Sequence, residues 1–269
     1  MKLIPLLFIA LLLASCQESP VETKTIQEIP VFKNKGEELV YNFVQKVGNY
    51  EKLSQLKDVV YDYTYITPDQ KMDSVTEKYI FDGELSYGKY HKHQRTLSAL
   101  EGVIEQGYNG NDFWLKQNDS IIELGEHRPK VTFNRKTNLY WFTMMQKLLD
   151  PGLNYEFIGD YTKDNNTYDI VKVTFQSEND KPTDTYQLYI NQKTGLVDQF
   201  LFTVMDFNVS APNLMCLTYE NVDGLLIPTK RKYTKANWDA EPLTDKWVNV
   251  SWSNIKFNNG LTKELFEAK

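Results

Sequence analysis

Short extended runs joined by two-residue turns recur along this chain, and turns that short permit only antiparallel pairing. Asp82-Gly83, Asn109-Gly110 and Asp223-Gly224 are such turns, and Asn118-Asp119 is a fourth. The runs between them are strand-like. Asp58–Ile66 is rich in Val, Tyr, Thr and Ile, and 74–81 places Val75, Glu77, Tyr79 and Phe81 on one face. Further strands are expected over 84–91, 103–108, 112–116 and 120–123. A second series covers 155–160, 168–176, 185–191, 196–207, 214–221, 225–234 and 246–257. Pro228 interrupts one of these and should sit at an edge or bulge.

Three segments break the pattern. Residues 36–48 place Leu39, Phe43 and Val47 at helical spacing, with Val40 and Val44 beside them. Glu37 and Glu38 suit the positive end of that helix, and Gly48 suits its exit. A second short helix is expected over 50–56. Residues 138–149 carry Leu139, Phe142, Met145, Gln146 and Leu149 near helical spacing, and Trp141 and Leu148 widen the apolar surface. A helix this apolar must lie against something apolar. No composition break or short-period repeat divides the chain. The expectation is mainly β, of α+β class: one strongly curved antiparallel sheet of about eleven strands that wraps its helices. The terminal 261–266 should tuck back onto the sheet.

The N-terminus sets the compartment. Lys2 precedes an apolar run, Leu3 to Leu13, interrupted only by Pro5 and followed by Ala14-Ser15-Cys16. The run is short for a membrane span and suits a secretory signal. It resembles a bacterial lipobox, which implies cleavage before Cys16 and fatty acyl chains such as palmitate on that residue. Residues 1–15 are then the signal, 16–35 a lipidated Cys and polar tether, and 36–269 the folded domain. Several acyl chains form an effectively permanent anchor. Gln17 is not the Asp that resemblance to inner-membrane retention signals would require, which favours the outer membrane. Cys216, the other cysteine, has no intramolecular partner and lies in an apolar run.

Charge and motifs exclude several functions. Loss of Lys2 with the signal takes the formal charge from -6 to -7, with the signs interspersed, so nucleic acid is not an expected partner. His91 and His93 share a strand face in simple alternation, but Lys89, Lys92 and Arg95 surround them and no Cys or paired carboxylate completes a zinc site. His127 stands in a loop. No nucleophile elbow, phosphate loop or zinc-protease pattern appears. Neither catalysis nor a cofactor is expected.

Gly107-Tyr108-Asn109-Gly110-Asn111-Asp112-Phe113-Trp114-Leu115 resembles the Tyr-(Asp/Asn)-Gly-x-x-(Phe/Leu/Val)-Trp hairpin of the LolA/LolB family of lipoprotein carriers and receptors. Tyr168 to Val173, followed by Tyr186 to Leu196, resembles that family's later strand pair. The resemblance covers most of residues 36–257 and is nearer to an envelope-lipoprotein branch than to the soluble carriers. It implies an unclosed β-barrel with a helical lid over an apolar cavity on its concave face. Candidates to line that cavity are Phe81, Phe113, Leu115, Trp141, Phe142, Met145, Val173, Phe175, Leu188, Ile190, Phe200, Phe202 and Trp252. The same residues would equally fill a dry core, and pattern alone does not separate the two. The expected function is that of an outer-membrane-associated lipoprotein holding a lipid or lipoprotein acyl chain. Its partners would be membrane lipid at Cys16, that ligand, and an envelope protein. The alternatives are a docking or sensor protein with a filled core, and a hydrolase on the same scaffold.

Overall fold

The computed structural model describes residues 30–177 and 181–269; the expected lipobox and most of the expected tether lie outside them. Thirteen strands form one curved, fully antiparallel sheet that does not close: β1 (Asp58–Ile66), β2 (Met72–Ile80), β3 (Leu85–His93), β4 (Ile104–Tyr108), β5 (Phe113–Gln117), β6 (Ser120–Ile122), β7 (Leu153–Lys163), β8 (Asn166–Phe175), β9 (Thr185–Asn191), β10 (Val197–Val204), β11 (Val209–Val222), β12 (Leu225–Lys235) and β13 (Val248–Phe257). Their order is β6-β5-β4-β3-β2-β1-β13-β12-β11-β10-β9-β8-β7. Two meanders thus meet where β1 pairs with β13, the first strand bonded to the last. The tight turns fall where the sequence placed them. Asn109 accepts from the Asn111 and Asp112 N–H groups, and Asp223 and Gly224 both have positive φ. Pro228 sits at the bulge where β12 slips against β11 between Thr218 and Glu220.

Helix α1 (Lys35–Val47) starts at Asn34, whose side chain accepts the Glu37 N–H at 3.0 Å. It buries Val40, Phe43, Val44 and Val47 against Val171, Val173, Leu188 and Phe200 of the second meander. Each such side chain contributes about 1.5–3 kcal/mol when withdrawn from water. Helix α2 (Tyr50–Gln55) is a single turn and a half anchored by buried Leu53.

The third helix corrects the sequence reading. It spans α3 (Arg128–Thr143), starting ten residues before the expected 138–149 and ending well before 149. Its buried stripe is Val131, Asn134, Arg135, Leu139 and Phe142, at sound helical spacing. Two polar residues within that stripe hid its first half. The apolar run after it, Met144 to Leu148, is a series of turns. Met144, Met145 and Leu148 are nevertheless buried against β8 to β11, capping the second-meander core.

The opposite face of the first meander is covered by the C-terminus. A 3₁₀ turn, Lys263–Phe266, buries Phe266 against Ile80, Leu85, Tyr87 and Trp114. The Trp114 indole donates to the Phe266 carbonyl at 2.6 Å. Asp58 fixes the approach, its carboxylate accepting from the N–H groups of Asn259, Gly260 and Leu261.

Candidate functional site

Beneath α3 the two halves of the sheet are not packed alike. Under α1 and the 144–148 turns, the second meander is filled. Under α3 an open groove of about 680 Å³ runs between the helix and the inner faces of β1 and β9 to β13. Its walls are aromatic: Tyr61, Tyr63 and Tyr65 from β1, Phe202 from β10, Tyr233 from β12, Trp252 from β13, and Tyr140 and Trp141 from the helix. Period-two alternation turns Tyr61, Tyr63 and Tyr65 toward the same face. A smaller, more polar pocket of about 360 Å³ lies along α3 near Glu84, Arg135 and Lys147.

The aromatic walls carry polar tips. Tyr65 and Tyr233 share a hydroxyl–hydroxyl hydrogen bond, and Tyr140 and Tyr186 share another at 3.1 Å. Burial holds the phenols of Tyr61, Tyr63 and Tyr186 well above the ordinary tyrosine range, so they are neutral hydrogen-bonding groups. The groove is therefore richer in tyrosine, and poorer in aliphatic surface, than a simple acyl-chain cavity would be.

Its charge is uneven. Arg95, Lys130, Lys136, Arg231 and Lys235 line it against only Asp184 and Asp206, in a chain of net charge -6. Arg95 reaches the groove from the loop after β3 and is secured by Asp73. The Asp73 carboxylate lies 3.1 Å from Arg95 Nε and accepts from the backbone N–H groups of Arg95 and Thr96. The Arg95 guanidinium lies 4.0 Å from the Tyr65 ring centroid. Burial pulls the Lys130 ammonium down, with Arg95 adding to the effect. Burial pushes the Asp184 carboxyl up.

Arg231 differs from these. It sits on the inner face of β12 between outward-facing Lys230 and Lys232 and is 5% exposed. Its Nε donates to the Pro228 carbonyl at 3.2 Å, and Nη2 donates to the Trp141 carbonyl at 2.7 Å. Its guanidinium lies 3.8 Å from the Trp252 ring centroid and 5.6 Å from that of Trp141. Among the described residues no carboxylate forms an ion pair with it, and desolvation pulls its pKa down to about 9.

The lid is held by a different arginine. Arg135, on α3, is fully buried and forms a two-pronged pair with Glu77 of β2, at 2.8 and 3.0 Å. Tyr79 and Asn138 also donate to Glu77, and Arg135 Nη2 donates to the Tyr90 hydroxyl. Gly88 leaves room for this guanidinium, since a Cβ there would fall 2.6 Å from Nη1.

The apolar residues picked out from sequence are distributed over several environments. Trp141, Phe202 and Trp252 line the groove. Phe142 lies deeper, stacked at 4.8 Å on Tyr61 and 5.2 Å from Trp252. Met145, Val173, Leu188, Ile190 and Phe200 belong to the packed core under α1, with Phe175 at its margin. Phe81 packs with β1 and β13 residues, including Phe257. Leu115 lies with Val131 beneath the start of α3, with Phe113 beside it. Sequence reasoning placed Arg95 near a cavity mouth but missed the groove's tyrosines, Arg231 and the buried Arg135. Alternation in Lys230-Arg231-Lys232 carries the signal, since it turns the middle residue inward.

The histidines are engaged locally. The bulge between Ser74 and Val75 of β2 is opposite His91, so simple alternation does not relate His91 to His93. His91 Nε2 is 3.0 Å from Thr76 Oγ1, and the His93 ring lies between the Thr96 and Gly102 carbonyls. Among the described residues no cluster of three or more His, Cys, Asp or Glu could hold a metal ion. Nor, among them, is any helix long and apolar enough to cross a membrane. Cys216 is a half-buried free thiol that burial pushes up.

No protein-family model matches the chain, and no curated protein matches it. Solved structures do. A domain described as a "putative outer membrane lipoprotein-sorting protein domain" from Vibrio parahaemolyticus matches with a TM-score of 0.51 at 11% identity, over 87% of this chain and 96% of that one. A DUF1329 family protein from Desulfovibrio piger matches with a TM-score of 0.50 at 13% identity, over 86% and 95%. A LolA superfamily protein from Nitrosomonas europaea gives 0.48 at 11% identity, over 87% and 97%. At these identities the likeness concerns the fold. This chain shares its open, helix-covered sheet with the Vibrio and Desulfovibrio structures.

Proposed function

We propose that this chain is an envelope lipoprotein, anchored through Cys16, that holds the acyl chain of a lipid or lipoprotein in the groove beneath α3. The groove carries this reading. Its volume lies within the range of about 300–1,000 Å³ common to small-molecule sites, and aromatic rings from β1, β10, β12, β13 and α3 supply continuous apolar surface along it. The resemblance to lipoprotein-sorting proteins and the lipobox at Leu13-Ala14-Ser15-Cys16 support the same compartment and ligand class. Gln17 favours the outer membrane over the inner.

The neutral apolar dye N-phenyl-1-naphthylamine should brighten on binding the mature domain, and lipids with a single acyl chain should displace it. Val204 is partly buried and lines the groove. Val204→Trp should weaken dye binding about tenfold, the equivalent of roughly two methylenes withdrawn from apolar contact. A dye that never binds, or one that Val204→Trp leaves untouched, removes the groove as a ligand site and favours docking of another envelope protein.

The anchor is tested separately. Cys16→Ser should abolish incorporation of labelled palmitate and move the protein out of the membrane fraction or leave its signal uncleaved. Persistent labelling and membrane attachment in that variant would defeat the lipoprotein assignment.

A further inference from the structure

A buried arginine without a carboxylate partner is expensive, because desolvation disfavours the charge and nothing of opposite sign repays it. Arg231 is in that position. Two carbonyls and the Trp252 face offset part of the cost, but these neutral groups do not supply a counter-charge. The arrangement is also geometrically specific. Nε and Nη2 are committed to Pro228 and Trp141, whereas Nη1 makes no hydrogen bond to any described residue. The side chain lines the groove at the place where the helix carbonyl of Trp141 and the ring of Trp252 converge. The surrounding charge has the same sign, with Arg95, Lys130, Lys136 and Lys235 along the groove. Asp184, one of the two acids there, accepts from the Thr203 hydroxyl and the Met205 N–H at Oδ1 and forms no ion pair with Arg231.

We propose that Arg231 is the seat for the anionic head of a single-tailed amphiphile, a carboxylate or a phosphate, whose apolar tail lies along the aromatic walls. The proposal deepens the groove reading and rests on it. The free Nη1 donates to a headgroup oxygen, and the ligand supplies the counter-charge that the fold omits. Tyr61 and Tyr63, neutral and in the same groove, present hydroxyls rather than competing anions. Arg231 thus fixes a charge between the Trp141 and Trp252 rings, an arrangement that orients a ligand end to end.

The test is displacement of N-phenyl-1-naphthylamine from the mature domain by three lipids sharing one oleoyl tail, below their critical micelle concentrations. Oleate carries a carboxylate, oleoyl lysophosphatidate a phosphate, and monooleoylglycerol no charge. At least one anionic lipid should displace the dye at concentrations about tenfold lower than the neutral one, as a charge-assisted hydrogen bond in a dry site requires. Whichever anion shows the advantage identifies the source of the headgroup. Arg231→Met should bring the anionic and neutral lipids to equal displacement within the variant, and Arg231→Lys should retain part of the anionic advantage. Arg231→Met should melt no lower than the wild type, because it removes an uncompensated buried charge. Equal displacement by all three lipids in the wild type would overturn the anion seat and leave the groove reading standing. A preference that survives Arg231→Met would also overturn it. Failure of the dye to bind the wild type would remove both. If the methionine variant does not fold, Arg231→Lys decides: an anionic advantage unchanged from the wild type would assign the preference to the other cations of the groove and overturn the seat at Arg231.

Discussion

Replacing Glu77 with Leu should lower the melting temperature by roughly 6–20 °C. The pair it forms with Arg135 is buried on both sides. Removing one partner leaves an uncompensated charge in a dry interior, at a cost of about 3–5 kcal/mol. For a domain of this size each kcal/mol corresponds to roughly 2–4 °C. The loss is larger than a single contact because Tyr79 and Asn138 also donate to that carboxylate. The Asn138 amide would lose its acceptor along with the guanidinium, while the Tyr79 hydroxyl keeps only its bond to Tyr61. Arg135→Met in the same chain should recover most of the stability, since a buried pair replaced on both sides by apolar groups is often neutral. Thermal melts of the two single variants and the double variant give the coupling directly. Additive losses would mean that the pair does not act as a unit. The consequence reaches the groove: Arg135 is the most deeply buried tie between α3 and β2, so Glu77→Leu should also loosen the helix that roofs it.

Much of the architecture was legible because a sheet declares itself locally. The strands Asp58–Ile66 and Thr185–Asn191 have the bounds expected from their residue types, and the Asn-Gly and Asp-Gly turns fix antiparallel neighbours without reference to the rest of the chain. Helix α1 was equally plain, since its buried stripe is wholly apolar except for Gly36. The start of α3 was not, because Asn134 and Arg135 stand where an amphipathic pattern expects apolar residues. What makes Arg135 tolerable there is Glu77, 58 residues away in sequence. Alternation had already placed Glu77 on the inner face with Val75 and Tyr79; its partner could not be read from that pattern. The 144–148 segment shows the reverse error. Its apolar content was read correctly as buried, but burial in turns looks the same as burial in a helix.

The groove was the least legible part, for a physical reason. Hydrophobic patterning reports which side chains face inward and says nothing of the volume left between them. Phe200 and Phe202 are two residues apart on one strand and their rings lie 5.6 Å apart. Yet Phe200 is wholly buried in the core while Phe202 lines open space. The difference is made by what covers them: α1 and the 144–148 turns on one side, and on the other a helix held off the sheet by large aromatic side chains.

Gly107→Ala should destabilise the domain by about 3 kcal/mol or more and free the C-terminus. The Trp114 indole lies directly across the Gly107 backbone of the neighbouring strand, and an added Cβ would fall 2.1 Å from its Cε2. No rotation of the methyl relieves such an overlap, so the ring must leave its site. Overpacking of this kind costs about 1–3 kcal/mol in a well-packed region. Here the displaced ring also surrenders its hydrogen bond to the Phe266 carbonyl. That ring forms one wall of the pocket in which Phe266 is fully buried, and losing the burial costs about 1.5–3 kcal/mol more. The melting temperature should fall by at least roughly 6 °C. Amide exchange should accelerate over residues 258–269 well before the central strands respond. Adding Trp114→Leu should relieve the overlap and restore the strand pairing while leaving the C-terminal turn loose, because the indole donor is gone. Unaltered exchange at the C-terminus in Gly107→Ala would mean that the indole can move without releasing Phe266, and the coupling of hairpin to terminus would be wrong.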